Sequence, residues 1–336
     1  MAPASRWLPG GHLQTIWPVL FSRRSWHPPR PQTRERWDTP DGDFIDVVIQ
    51  KASKPERPML VMFHGLEGSI NSHYAQSFAD WAGEHDLHFS MPHFRGCGGT
   101  LNDAPRAYHS GDHEEIDWIL SRMRTRHRAE GGQLMWAIGV SLGGNALMRW
   151  AGEQGDQGNK KVDAIASICS PLDLMASGKA IGEGVNRHIY TPMFLRSMKP
   201  KAMAKWDQYP GLFDANRLQK AKDLYEFDNV FTAPIHGFKN TDDYWQRASA
   251  KPVMAEIRIP ALALNPLNDP FVPAYSLPKP HDVAPCVELW QPQHGGHVGF
   301  TQGRFPGHVR GLPDALGEWL LSMTGVSRDF ERQQHG

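Results

Sequence analysis

Gly139-Val140-Ser141-Leu142-Gly143 is the segment of this chain best suited to covalent chemistry. It fits the pattern G-x-S-x-G, in which a serine sits on a sharp turn between a buried strand and a helix. Residues 133–138 before it form an apolar run of strand length, and residues 144–150 after it read as the first turns of a helix. Flanking glycines suit a turn too tight for side chains, with a strained backbone at the nucleophile. The five-residue pattern alone is unspecific, and an ordinary strand–helix turn is the alternative. The strand before and the helix after favour the nucleophile reading. A serine hydroxyl is weakly nucleophilic near neutral pH, so it needs a base, and the base needs an orienting acid.

Both partners have candidates downstream, in the chain order serine, acid, histidine of the α/β-hydrolase layout. For the base, His297 in His294-Gly295-Gly296-His297-Val298-Gly299-Phe300 follows the last expected strand on a glycine-rich loop. His294 competes and is read as a loop histidine with a structural hydrogen bond. For the acid, Asp269 follows the buried-strand run Ala261–Asn265, at an adjacent strand–loop junction. Asp173, in Ser170-Pro171-Leu172-Asp173, is the rival, with helix capping as its other reading. The oxyanion of acyl transfer needs two preorganised N–H donors. Leu142, just after the nucleophile, supplies one, and Leu66 in Phe63-His64-Gly65-Leu66-Glu67-Gly68 supplies the other. His64 is read as structural. Cys97, in the tight loop Arg95-Gly96-Cys97-Gly98-Gly99, lacks a histidine partner in sequence and is not taken as a nucleophile.

These residues must be carried on a scaffold, and the chain supplies one. At 336 residues it is long enough for one large α/β domain with an insertion. Strand-like runs at 44–49, 58–64, 87–92, 133–140, 163–169, 259–265 and 286–291 alternate with helical segments at 72–84, 112–126, 142–152 and 312–323. That rhythm predicts a mostly parallel central sheet flanked by helices. The interval from Pro171 to Ala250 breaks it and reads as a mostly helical cap inserted into the core, dividing the chain into 1–170, 171–250 and 251–336. Its Met193, Phe194, Met198, Met203, Trp206, Tyr209, Phe213 and Tyr225 are expected mostly to form the cap's own core, with a few lining an acyl pocket. Lys plus Arg and Asp plus Glu number 36 each, so no net charge favours nucleic acid or an anionic membrane. Three scattered cysteines argue against a disulfide framework and fit a reducing compartment. No run approaches the ~20 apolar residues of a membrane span, and the N-terminus does not read as a signal peptide. A cytoplasmic protein without stable membrane insertion is expected. No His/Cys spacing suits a metal, and no cofactor is expected.

Several longer motifs carry a family resemblance. Gly11-His12-Leu13-Gln14-Thr15-Ile16-Trp17-Pro18, His64–Ser69, Asn71-Ser72-His73-Tyr74, Phe94–Gly99, Tyr108-His109-Ser110-Gly111, Gly139–Gly144 and His294–Phe300 resemble the YheT-like α/β-hydrolases, the AB hydrolase 4 family. The likeness runs from about residue 9 to about residue 323. It implies the α/β-hydrolase fold, a Ser-Asp-His triad on Ser141, Asp269 and His297, and hydrolysis of carboxylic esters. Relatives commonly carry two acidic residues before Pro-Phe, whereas this chain has Asn268-Asp269-Pro270-Phe271 and keeps the acid that the triad needs. The wider family also includes phospholipases and alcohol acyltransferases.

The expectation is therefore a serine esterase acting on small to medium acyl esters or lipid esters. An acyltransferase using the same acyl-enzyme, with an alcohol or thiol as acceptor, is the first alternative. A non-catalytic hydrolase-fold binding protein is the second. The Gly-His-Leu-Gln-Thr motif is expected to pack against the core rather than to border the pocket.

Overall fold

The computed structural model describes Ser5 and residues 7–323. Its centre is an eight-stranded sheet built from β1 (Gln32–Asp38), β2 (Phe44–Gln50), β3 (Met59–Phe63), β4 (His88–Pro92), β5 (Met135–Val140), β6 (Ala164–Ile168), β7 (Ala261–Leu264) and β8 (Val287–Trp290). The strand order is β1-β2-β4-β3-β5-β6-β7-β8. The β1/β2 and β2/β4 pairs are antiparallel and all others parallel. Strands β3 to β7 are buried along their whole length, as a parallel sheet covered on both faces requires.

The helices are α1 (Gly11–Leu20), α2 (His73–Glu84), α3 (His113–Ala129), α4 (Leu142–Gln154), α5 (Leu174–Gly182), α6 (Gly184–Gln208), α7 (Ala215–Lys220), α8 (Leu224–Val230), α9 (Thr232–Ile235), α10 (Thr241–Ala248) and α11 (Gly311–Met323). Alternation along β3 shows how the layers form. Met59, Val61 and Phe63 pack with Ile119 and Met123 of α3 and Leu147 of α4, while Leu60 and Met62 pack with Phe78 of α2 and Leu316 of α11.

All seven expected strands are present, and the four expected helices agree with α2, α3, α4 and α11 to within a few residues. Two elements were not expected. Strand β1 is a polar edge with one buried side chain, Trp37, so it carries no hydrophobic alternation. Helix α1 contains Pro18 and starts at consecutive glycines, and tertiary contacts rather than propensity hold it.

Between β6 and β7 the chain runs through α5 to α10 with no strand. Asp173, Asp214, Asp223 and Asn240 each accept a backbone N–H at the start of α5, α7, α8 and α10. Phe213, Phe227, Phe231 and Leu195 form a local core there, with Met198, Met203 and Trp206 packed on it. Met193, Tyr209 and Tyr225 instead face solvent.

Candidate active site

Ser141 sits between β5 and α4 with φ 52° and ψ −119°, a conformation that side-chain-bearing residues rarely adopt. The surrounding glycines make that turn possible. A Cβ on Gly139 would lie 2.5 Å from the Gly143 carbonyl oxygen, and one on Gly143 would lie 2.5 Å from the His64 carbonyl oxygen. The Ser141 N–H donates to the Ile168 carbonyl at 2.8 Å, tying the turn to the neighbouring strand β6.

The structure brings Ser141, His297 and Asp269 into one hydrogen-bonded run. Ser141 Oγ lies 3.0 Å from His297 Nε2, and His297 Nδ1 lies 2.9 Å from Asp269 Oδ2. An ionised carboxylate only accepts, so Nδ1 carries the proton and Nε2 is free to accept from the serine hydroxyl. Asp269 is fully buried at its side chain, and its other oxygen accepts from the Phe271 and Val272 N–H groups at 2.8 and 3.3 Å. The Phe271 ring lies 4.4 Å from the imidazole, centroid to centroid, which narrows the space in which that ring can turn.

The loop bearing His297 is held in an unusual way. Four consecutive backbone N–H groups each donate to a side chain from another part of the chain. Gly295 donates to Gln14 Oε1 (3.0 Å), Gly296 to Asn268 Oδ1 (3.0 Å), His297 to Thr15 Oγ1 (2.8 Å) and Val298 to Cys169 Sγ (3.2 Å). His73 Nε2 donates to the Val298 carbonyl at 2.9 Å. These bonds hold a strained backbone, with φ 59° at the β-branched Val298. The Asn268 amide also donates to Gln14 Oε1 at 2.9 Å, which a carboxylate at that position could not do. Helix α1 is thus wedged between the acid and base loops: a Cβ on Gly11 would lie 1.9 Å from the Asn268 carbonyl oxygen, and one on Gly299 would lie 1.8 Å from that of Gln14. The expectation that this N-terminal motif only packs is too narrow, because it braces both loops. Gln14, Thr15 and Asn268 were missed as site residues; the one signal for Gln14 and Thr15 was their place in a motif shared with relatives, and for Asn268 its departure from the acidic residue that relatives commonly carry there.

A family model described as the alpha/beta hydrolase fold matches residues 58–303. The chain belongs to the α/β-hydrolase family. It is similar to YheT of Escherichia coli (strain K12), a protein named as a candidate esterase, at 36% identity over 93% of this chain and 90% of the relative. It also resembles the monoacylglycerol lipase of Saccharomyces cerevisiae (27% identity, 75% of this chain) and the human phospholipase ABHD3 (25% identity, 74% of this chain). The aligned parts span only 57% and 60% of those two longer proteins. Among solved structures, the α/β hydrolase GrgF from Penicillium sp. sh18 superposes with a TM-score of 0.59 at 15% identity, covering 87% of this chain and 99% of that one. At that identity the likeness speaks for the fold alone.

In this α/β hydrolase the loop after β3 meets the serine directly, since a Cβ on Gly65 would lie 3.1 Å from Ser141 Cβ. Tyrosines clamp both sides of Leu66. The Gly65 N–H donates to Tyr74 Oη at 3.1 Å and the Glu67 N–H to Tyr108 Oη at 2.9 Å. Among the described residues the Leu66 N–H has no hydrogen-bond partner. Leu142 begins α4, so its N–H has no intrahelical acceptor. His64 is a strut: Nδ1 donates to the Gly65 carbonyl at 2.7 Å, Nε2 accepts from the Phe94 N–H at 3.0 Å, and burial pushes it down to about 3, keeping it neutral.

Ser141, Leu142, Leu66 and His297 border one cavity of about 1150 Å³, including its open mouth. Its walls are largely apolar, with Leu174, Ile181, Phe194, Met198, Phe231 and Trp245 supplied by α5, α6 and the helices after them. The rival candidates lie elsewhere or are inert. Asp173 caps α5 through the Ala176 N–H at 3.1 Å, and His294 is exposed, 3.5 Å from the Asn268 amide nitrogen. Burial pushes the Cys97 thiol up to about 12, so it is protonated at neutral pH. Among the described residues no cluster of His, Cys, Asp or Glu could hold a metal ion.

Proposed function

We propose that this α/β hydrolase is a serine carboxylic ester hydrolase acting through an acyl-enzyme on esters with an apolar acyl group, lipid esters included. The observation that carries the reading is the run Ser141–His297–Asp269 at the floor of an apolar cavity. His297 Nε2 takes the hydroxyl proton as Ser141 Oγ bonds to the ester carbonyl carbon. The resulting imidazolium is stabilised by Asp269, and it returns the proton to the departing alkoxide as the ester bond breaks. The Leu66 and Leu142 N–H groups receive the oxyanion, their positions supported by the tyrosine clamps and the first turn of α4. Water, deprotonated by the same imidazole, then attacks the acyl-enzyme and releases the carboxylic acid. The names of the relatives, which include a monoacylglycerol lipase and a phospholipase, support ester hydrolysis as the reaction class.

The same reading assigns 171–250 as a cap over the site, between core segments 1–170 and 251–336. Three free thiols support a cytoplasmic setting. The test is hydrolysis of p-nitrophenyl esters from acetate to palmitate by wild type and Ser141→Ala in parallel. Turnover in the wild type, lost in the variant together with fluorophosphonate labelling, supports the serine mechanism, and the chain-length optimum sizes the cavity. An absence of wild-type turnover on every ester, with Ser141 unlabelled, refutes it.

A further inference from the structure

Outward-facing apolar side chains are gathered on one part of this molecule. Tyrosines aside, nine large hydrophobic residues are exposed among the described residues, and eight of them lie on α1 and its end, the first half of α6, or the loop at 302–306. Leu13, Val19, Leu20 and Phe21 come from α1 and the residue after it. Val185, Ile189 and Met193 recur on one face of α6, and Phe305 is 70% exposed. Trp7, Trp17, Phe21 and Phe305 touch one another at centroid distances of 4.5 to 5.6 Å, so these aromatics form one surface. Helices α1 and α6 are joined by the His12–Tyr190 hydrogen bond at 3.2 Å, and Ile16 packs with Tyr190, Phe194 and Phe271. Phe194 and Phe271 also line the Ser141 cavity, so one packed apolar cluster links this face to the site.

Basic residues predominate along the segments that build this surface, with Asp80, Glu84 and Asp314 beside Trp26 and Arg310 at its edge. The chain has no Asp or Glu from Met1 to Arg34 but five arginines, and none from Gly184 to Trp206 but five basic residues. Arg23, Arg187, Arg196 and Arg304 are exposed around the apolar side chains, and Glu183 at the start of α6 is the acid nearest in sequence. Overall neutrality therefore conceals a cationic, apolar face. Contiguous exposed apolar surface marks an interaction site, and aromatic and aliphatic side chains with arginines at the rim are what a helix lying in a lipid interface presents. A second copy fits less well, because a two-fold contact would set identical cationic patches against each other.

We infer that this face docks on an anionic lipid surface and brings the mouth of the Ser141 cavity to ester substrates held there. The docking stands on the surface itself, and its use in delivering substrate rests on the esterase reading. No helix among the described residues is long and apolar enough to cross a membrane, so the contact is peripheral.

The test is vesicle flotation with the full chain, using phosphatidylglycerol vesicles and phosphatidylcholine vesicles. Two sets of variants carry it: Leu20→Ser with Phe21→Ser and Phe305→Ser, and Arg187→Glu with Arg196→Glu and Arg304→Glu. Wild type is expected to float with phosphatidylglycerol and to be released by high salt. Each triple variant should bind about tenfold more weakly or worse, with turnover of soluble p-nitrophenyl butyrate unchanged. The inference is overturned by wild type that stays in the soluble fraction, or by variants that float like wild type. A chain that ignores vesicles but runs as a dimer dissociated by the apolar substitutions would also overturn it. Flotation without turnover of any ester would uphold the docking while refuting the esterase reading.

Discussion

Replacing Thr15 by valine removes one oxygen and keeps the side chain's shape, so it isolates the brace on the base loop. In the native structure Thr15 Oγ1 accepts from the His297 N–H at 2.8 Å and donates to the Gly11 carbonyl at 2.7 Å. Valine leaves that N–H without an acceptor in a part-buried place, at a cost of about 1–3 kcal/mol. Part of the cost will appear as lost stability. The rest is expected as displacement of the imidazole, because the Gln14, Asn268 and Cys169 bonds still hold the flanking residues while His297 itself is released. Misplacing a catalytic group by about 1 Å costs on the order of 10²-fold in rate. Thr15→Val should therefore lower kcat on a soluble short-chain ester by roughly 10- to 100-fold with little change in KM. Thr15→Ser, which restores the oxygen, should recover most of it. The assay is steady-state kinetics on p-nitrophenyl butyrate beside thermal unfolding of all three proteins. A valine variant with unchanged kcat, or a serine variant as impaired as the valine one, would refute the brace.

Two further predictions concern the acid and the pH range. Asp269→Asn keeps an oxygen for the Phe271 and Val272 N–H groups but turns an amide N–H₂ toward His297 Nδ1, forcing the proton onto Nε2. The fold should survive while kcat on the same ester falls on the order of 10⁴-fold, and near-normal turnover would move the acid's role elsewhere. For stability, burial pushes His64 and His109 down to about 3 and His73 down to about 4. The unfolded chain binds more protons at these sites below its ordinary histidine pKa of about 6.5, so their contribution is full above that pH and is lost as pH falls toward 4 and 3. Asp228, pushed up to about 6 by burial, acts oppositely, holding its proton in the fold between about 4 and 6. Stability in urea should thus fall mainly between pH about 6 and 4, at roughly 4 kcal/mol per pH unit from the three histidines less about 1.4 kcal/mol per pH unit from Asp228. A midpoint flat from neutral pH to about 4 would contradict the burial of neutral imidazoles.

The parts of the fold that were legible in the sequence are those whose pattern has one physical cause. Strands β3, β5 and β7 read as continuous apolar runs because both faces are covered, and Ser141 stood out because its turn admits glycine around it and little else. Strand β1 was not legible because its exposed edge position leaves Trp37 as its one buried side chain. Helix α1 was missed because Pro18 and the glycines at its start are poor helix signals, while contacts that hold it come from residues 178 to 282 positions away.

The same distinction applies within the site. Ser141, Asp269 and His297 have residue types that chemistry restricts, and their order along the chain restricts them further. Gln14, Thr15 and Asn268 act through backbone N–H groups, and any residue could carry an N–H in the loop they hold, so no pairing of residue types announces the contact. Charge behaves likewise. A net of zero excludes a strong overall field, but it does not report where the charges sit. Only when α1 and α6 are placed side by side, through His12 and Tyr190, do the acid-free stretches at the N-terminus and in α6 join into one face. Because the segment that braces the base also supplies half of that face, substitutions at Leu20 and Phe21 test the surface, and substitutions at Thr15 test the chemistry. Independent outcomes are expected from the two, since Leu20 and Phe21 point to solvent while Thr15 is buried against the His297 loop.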